Sequence, residues 1–204
     1  MSAEEVKTTE IARKRGRPSR RAEIVAAAER LVRERGASAV TTRAIAQSVP
    51  CSEGAIYVHF KDRVDLLLAV LEESLPEMLA PLRGLKGRVG LETPEENLIF
   101  AVEGLRRFQE KVVVMLCSLA GEPELRARFQ ESLQGRGPRR GVATIADYIE
   151  AEKALGRIAS RVDADVAGQM LMASVFFQVF CASVLGEKLP GDARALVRSA
   201  IGGV

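Results

Sequence analysis

Between Val166 and Gly186 the chain runs 21 residues without a formal charge, and this run limits what it can fold into. About 20 residues of helix cross the hydrocarbon of a bilayer, so the segment is either a membrane span or a helix covered on nearly every side by protein. Gln169, Ser174, Gln178 and Ser183 recur along it, acidic Asp163 and Asp165 precede it, and no basic anchor or export signal stands upstream. It is therefore expected to be the helix of a soluble protein, wrapped partly by its own domain and partly by a second subunit.

The remaining composition agrees. Ala, Leu, Arg and Glu dominate, aromatic residues make up 4%, and runs alternating Val, Ile, Thr and Tyr are hard to find. The fold class expected is all-α. At 204 residues the chain can bury one sizeable core or two small ones. Cys51, Cys117 and Cys181 are far apart with no CxxC pair, which suggests neither a disulfide framework nor a zinc knuckle. A reducing cytoplasm suits them, and the opening MSAEEVKTTE lacks the apolar stretch of a signal peptide. The expected localisation is cytoplasmic, with no metal, no cofactor and no membrane partner.

Charge is unevenly distributed. The net charge is +3, yet residues 1–63 hold 13 Lys/Arg against 8 Asp/Glu while residues 64–204 hold 17 against 19. Positive charge confined to one end suits an anionic polymer or a membrane surface, although a solvated tail gives the same count.

Punctuation divides the chain. Residues 1–18 have no apolar period and end in RKRGRP, as a disordered basic arm would. From a Ser19 cap, Ile24, Ala27, Ala28, Leu31 and Val32 recur at helical spacing to Arg35, where Gly36 supplies a stop. A second helix starts at Thr41, with Ala44, Ile45 and Ser48 on one face, and Pro50 ends it. Ser52 caps a third that carries Ala55, Ile56, Tyr57 and Phe60; Asp62 and Asp65 look like the cap of a fourth, RVDLLLAVLEESL, which leads to Pro76. Two short helices about a turn apart outline a helix-turn-helix. Thr93-Pro94-Glu95-Glu96 then forms a capping box before an amphipathic stretch from Asn97 to about Leu119. Breaks at Gly121 to Pro123, Gly135 to Pro138 and Gly156 separate later helices, one of them around Val142 to Glu152. The domains expected are the arm 1–18, a helix-turn-helix domain 19–67 and a larger helical domain 68–204.

The stretch TTRAIAQSVPCSEGAIYVHFKDRVDLL, Thr41 to Leu67, resembles the DNA-binding signature of the tetracycline-repressor (TetR) family of bacterial transcriptional regulators. The elements come in order: a Thr-Thr start, Ile45-Ala46, a capping Ser52, small Gly54 and Ala55, Ile56-Tyr57-x-His59-Phe60, and basic Arg63 before Leu66. The resemblance covers roughly residues 20–67; beyond them only the run of helices and the charge-free penultimate helix agree. Pro50 stands where the family most often has glycine, and Glu53 where it often has a basic residue.

The resemblance implies a ligand-responsive regulator, most often a repressor, that binds a palindromic operator as a homodimer and is released by a small apolar effector. A regulator of the same fold without a small-molecule ligand is the alternative. Small Gly54 and Ala55 would let the third helix approach base edges, while the backbone near Ser52, with Tyr57 and His59, meets phosphate oxygens. Thr42 and Arg43 would clamp the flanking backbone, leaving Arg43 for a guanine edge and Glu53 for a cytosine amino group. Lys61 adds charge, and Arg63 occupies the place of a phosphate-contacting lysine. Lys14 to Pro18 looks like an AT-hook core, whose Arg15 and Arg17 either enter an A·T-rich minor groove or act as an electrostatic tether.

In the larger domain the last two helices, about 163–185 and 191–201, would pair with a second subunit in a four-helix bundle. Phe100, Phe108, Met115, Phe129, Tyr148, Met170 and Phe177 are candidates to line an effector pocket, although Phe and Met at helical spacing commonly belong to ordinary core. Gln169, Gln178 and Tyr148 are candidates to orient a ligand. With one histidine, no metal-spaced cluster, no phosphate loop and no nucleophile elbow, the chain is not expected to be an enzyme.

Overall fold

The computed structural model describes residues 18–78, 80–133 and 137–202, and among them there are helices and turns but no strand. The basic arm, with Arg15 and Arg17, lies outside the described residues except for Pro18. Helix α1 (Arg20–Arg35) begins where the Ser19 hydroxyl accepts the Ala22 N–H and ends at Gly36, whose φ of +80° is left-handed. Thr41 and Ser52 start α2 (Thr42–Ser48) and α3 (Glu53–His59) in the same way, accepting the N–H groups of Ala44 and Ala55. Each such cap is worth about 1 kcal/mol. Helix α4 (Arg63–Met78) opens with a reciprocal pair: Asp62 accepts the Asp65 N–H at 2.7 Å, and Asp65 accepts the Lys61 N–H at 3.0 Å. It runs two residues past Pro76, where the pattern predicts a stop; a proline in the last turn removes one intrahelical bond, and its fixed φ is itself helical.

The larger part continues with α5 (Ala80–Gly84), a 3₁₀ turn (Leu85–Arg88), and α6 (Pro94–Gly121), which starts at the Thr93/Glu96 capping box. Then come α7 (Pro123–Leu133), α8 (Pro138–Ala154), α9 (Ala164–Phe180, prolonged by a π-helical turn, Cys181–Leu185) and α10 (Ala193–Ile201).

Two cores result. One gathers Ile24, Ala27, Leu31, Ile45, Ile56 and Phe60 of the head (α1 to α3) with Leu67 and Val70 of α4, and reaches Met115, Leu119 and Leu125 on α6 and α7 of the body (α5 to α10). The head therefore shares its core with the body rather than closing on itself. The other packs Leu98, Leu105, Ile145, Ile149, Leu171, Val175 and Val197 within the body. Helix α9 comes close to α8 because residue 168 is glycine: a Cβ there would stand 2.9 Å from the Val142 carbonyl oxygen.

By length and composition, the segment Ala164–Leu185 could cross a membrane. In this fold one side of it, Leu171, Val175 and Val179, is buried in the body core. The other leaves Val166 (52%), Met170 (48%), Phe177 (57%) and Val184 (44%) exposed as one apolar stripe.

Candidate nucleic-acid interface

Helices α2 and α3 meet across a turn that contains no left-handed residue. Val49 is extended at φ −129°, its N–H capping the Ile45 carbonyl, and the Cys51 N–H reaches the Val49 oxygen at 2.6 Å. Pro50 fits for that reason, since nothing at this turn requires the positive φ that a glycine would supply. Ile45 and Ile56 are buried behind the turn.

The outward side of α3 presents Glu53, Gly54, Tyr57 (59% exposed), Val58 (80%) and His59, with Ala55 half-buried. Ser52, Arg43 and Lys61 are exposed beside it, and Thr42 is half-buried. At Gly54 an added Cβ would find nothing nearer than the Ser52 hydroxyl oxygen at 3.9 Å. Packing within the chain does not call for glycine there; bare backbone on an exposed helical turn suits close approach by another molecule. Val58 was not singled out by the sequence, where it is only the unspecified residue between Tyr57 and His59. Its exposure puts an apolar side chain on this surface, of the kind that can pack on a thymine methyl group.

Two of the side chains expected to contact the DNA backbone have partners within the protein in this structure. The Thr42 hydroxyl donates to Glu53 Oε2 at 2.9 Å, so its one proton is not free for a phosphate oxygen. The Arg63 guanidinium points into the protein: Nε donates to the Val40 carbonyl at 2.9 Å, Nη2 to the Ala37 carbonyl at 2.6 Å, and both terminal nitrogens to the Glu122 carboxylate at 2.5 and 3.0 Å. Glu122 immediately precedes α7, so this arginine joins the head to the body. A second pair runs parallel, with Arg128 of α7 donating to both oxygens of Asp62 at 3.0 and 2.9 Å. The hydrogen bond from Arg63 holds Glu122 below the usual carboxylate range, while Glu122 raises Arg63 in return. Asp62 is lowered too, first by the Asp65 N–H and then by Arg128. Nothing in the local pattern around Glu122 announces a partner 59 residues away.

The seven candidate pocket residues are not brought together. Phe108, Met115 and Phe129 pack on the core shared by head and body, and Phe108 also touches the body core. Tyr148 is inside the body, where its oxygen accepts from the Asn97 amide at 3.0 Å; burial, then the adjacent Glu152 carboxylate, push its pKa up to about 12. Phe100 lies on the surface under the Arg88 guanidinium, 4.5 Å from the ring centre, and Met170 and Phe177 belong to the exposed stripe of α9. Gln169 is exposed, and the Gln178 amide ties down the α9–α10 connection through the Pro190 and Gly191 carbonyls. A residue the sequence did not mark is Gln109 of α6, 4% exposed, whose Oε1 has no hydrogen-bond partner among the described residues.

Residues 24–70 match the model of the bacterial regulatory proteins of the tetR family. No curated protein matches the sequence. Among solved structures, GusR of Salmonella enterica shares 20% identity over 89% of this chain and 95% of its own, with a TM-score of 0.66. The transcriptional regulator FadR of Bacillus subtilis, in complex with stearoyl-CoA, shares 19% over 89% of this chain and 98% of its own, at 0.61. The TetR-family regulator PfmR of Thermus thermophilus shares 22% over 86% and 93%, at 0.56. At such identities these likenesses show the fold. Residues 24–70 thus carry the signature of the tetR family of bacterial regulatory proteins, and most of the chain is similar in fold to these solved regulators.

Proposed function

We propose that the chain is a cytoplasmic, ligand-responsive transcriptional repressor that binds a palindromic operator as a homodimer and leaves it when a small apolar effector enters the body. The observation that carries this reading is the outward face of α3, where exposed Tyr57, His59 and bare Gly54 stand together on a seven-residue helix. Tyr57, His59, Arg43 and Lys61 supply donors for phosphate oxygens, while Gly54, Ala55 and Val58 lie against bases. Arg15 and Arg17 of the arm add positive charge.

The apolar stripe on α9 supports a second copy as its cover, because four large apolar side chains left in water are costly to a soluble chain. Two such heads would address half-sites about one DNA turn apart. Gln109 supports a ligand in the body: an unmatched buried oxygen costs about 1–3 kcal/mol, which a ligand's donor would offset. FadR, of the same fold, is in complex with stearoyl-CoA, which favours a lipophilic effector. A ligand that displaces α6 and α7 would move Glu122 and Arg128, and through Arg63 and Asp62 the start of α4 and the head.

Fluorescence anisotropy with duplexes from upstream of neighbouring genes tests the core of this reading. Replacing Tyr57 and Lys61 by alanine together should weaken binding at least about tenfold and reduce its salt dependence; undiminished affinity would reject the surface. The packed environment of Phe108 and Met115 favours a second reading, a regulator of this fold with no small ligand. Thermal shifts with long-chain acyl compounds decide between them, since a ligand stabilises by mass action and a filled core does not respond.

A further inference from the structure

We infer that Glu53, positioned by Thr42, selects a cytosine in each operator half-site. The inference rests on the DNA-binding reading above. The Thr42 hydroxyl holds Glu53 Oε2 at 2.9 Å across the helix-turn-helix, and Glu53 itself is exposed at the first residue of α3. Among the described residues no basic side chain pairs with this carboxylate and its Oε1 accepts no hydrogen bond. One oxygen is thus fixed within the head, and the other is available to whatever covers α3.

The chemistry of the group narrows the choice. An ionised carboxylate only accepts. In the major groove guanine offers O6 and N7, both acceptors, and thymine offers O4, so neither gives it a partner. Adenine sets its N6 donor beside the N7 acceptor, which repels the carboxylate. Cytosine presents the N4 amino group with no acceptor of its own beside it, and is the base a carboxylate satisfies. On a surface that must otherwise attract phosphates, the negative charge lowers affinity for all DNA and is compensated only where that amino group is present, which makes it a device against wrong sequences. Thr42 acts as a positioning residue, reducing the freedom the side chain must lose on binding. A glutamate serving only to brace α2 against α3 would be replaceable by glutamine without any change in the bases chosen.

The test is selection of binding sites from a randomised duplex pool by the full chain, in parallel with Glu53→Gln, Glu53→Ala and Thr42→Val. The parent should favour cytosine at least about fivefold at one position of each half-site. Glu53→Ala should lose that preference and hold unrelated DNA more tightly; Glu53→Gln should move it to adenine, whose N6 and N7 a carboxamide matches. Thr42→Val should relax the preference at that position and no other. Identical selected bases for the parent and both Glu53 variants would overturn the inference, whatever the variants do to melting temperature. If the parent selects no sequence, the operator reading has failed first, and that shows in the parent alone.

Discussion

In the head, polar side chains cap helices at their own feet and then stand outward; in the body they are drawn inside. Ser19, Thr41 and Ser52 each satisfy an N–H three residues on, and Arg43, Tyr57, His59 and Lys61 remain at the surface. The body buries Asn97, Gln109, Glu152 and Gln178. Asn97 donates to the Arg88 and Leu91 carbonyls and to Tyr148, Glu152 accepts the Gly90 N–H and pairs with Arg157, and Gln178 accepts from Arg106. The contrast shows where each part is incomplete. The head lacks polar partners on its outside; the body lacks a cover for one apolar stripe and, among the described residues, hydrogen-bond donors for the buried Gln109 Oε1 and Glu152 Oε2.

The strongest way to break this contrast is to put charge on the stripe. Phe177→Glu should weaken self-association at least about a hundredfold, a loss of roughly 3 kcal/mol, because a carboxylate desolvated in an apolar interface has no partner. Sedimentation at micromolar concentration measures it; an unchanged mass would remove α9 as the dimer face.

The junction comes next. Arg63→Ala leaves the Ala37 and Val40 carbonyls and the Glu122 carboxylate without their donor, and should cost about 2–3 kcal/mol in chemical unfolding. Its pH dependence has a definite sign. Glu122 and Asp62 are both held below their ordinary values of 4.5 and 3.8. They therefore contribute stability above those values and lose it as pH falls through their folded ones. Arg63 is shifted upward, so its share is lost only in strong base. A melting curve that falls more steeply below about pH 4.5 in the parent than in Glu122→Gln checks this; parallel curves would mean the pair is too solvated to matter.

Legibility in the sequence follows the same division. Helix starts in the head are encoded within three residues, as Ser19, Thr41, Ser52 and the Asp62/Asp65 pair show, and the capping box at Thr93 is equally local. The apolar run of α9 is plain from its composition, though which side faces outward depends on what packs against it. Arg63 is the instructive case. Its charge and place suggest a phosphate, but its direction is set by Glu122, two helices further on, and long-range pairing has no local signal. The separate places of the pocket candidates were hidden for a related reason, since large apolar side chains at helical spacing do not reveal which face each one takes.

Gln109 sharpens the account of the body at smaller cost. Gln109→Leu removes the unmatched oxygen while nearly keeping the volume, and should stabilise the unliganded chain by about 1–2 kcal/mol. If that oxygen serves an effector, the same change should reduce any ligand-induced thermal shift. A loss of stability in Gln109→Leu would mean that the amide has a partner, such as an ordered water, and that nothing is missing there.

The smallest effect separates stability from function at one atom. Glycine inside a helix is less favourable than alanine by about 0.5–1 kcal/mol, and a Cβ at residue 54 meets no atom closer than 3.9 Å. Gly54→Ala should therefore raise the melting temperature, by about 2–4 °C for each kcal/mol gained. The added methyl projects from an exposed turn of α3, so a surface that lies close on bases should lose about tenfold in operator affinity as the contact is forced apart. A variant that melts higher and binds as well as the parent would place the bases farther from the backbone of α3 than the bare glycine suggests. One that melts lower would show that residue 54 is constrained from within the head, contrary to the open space around it.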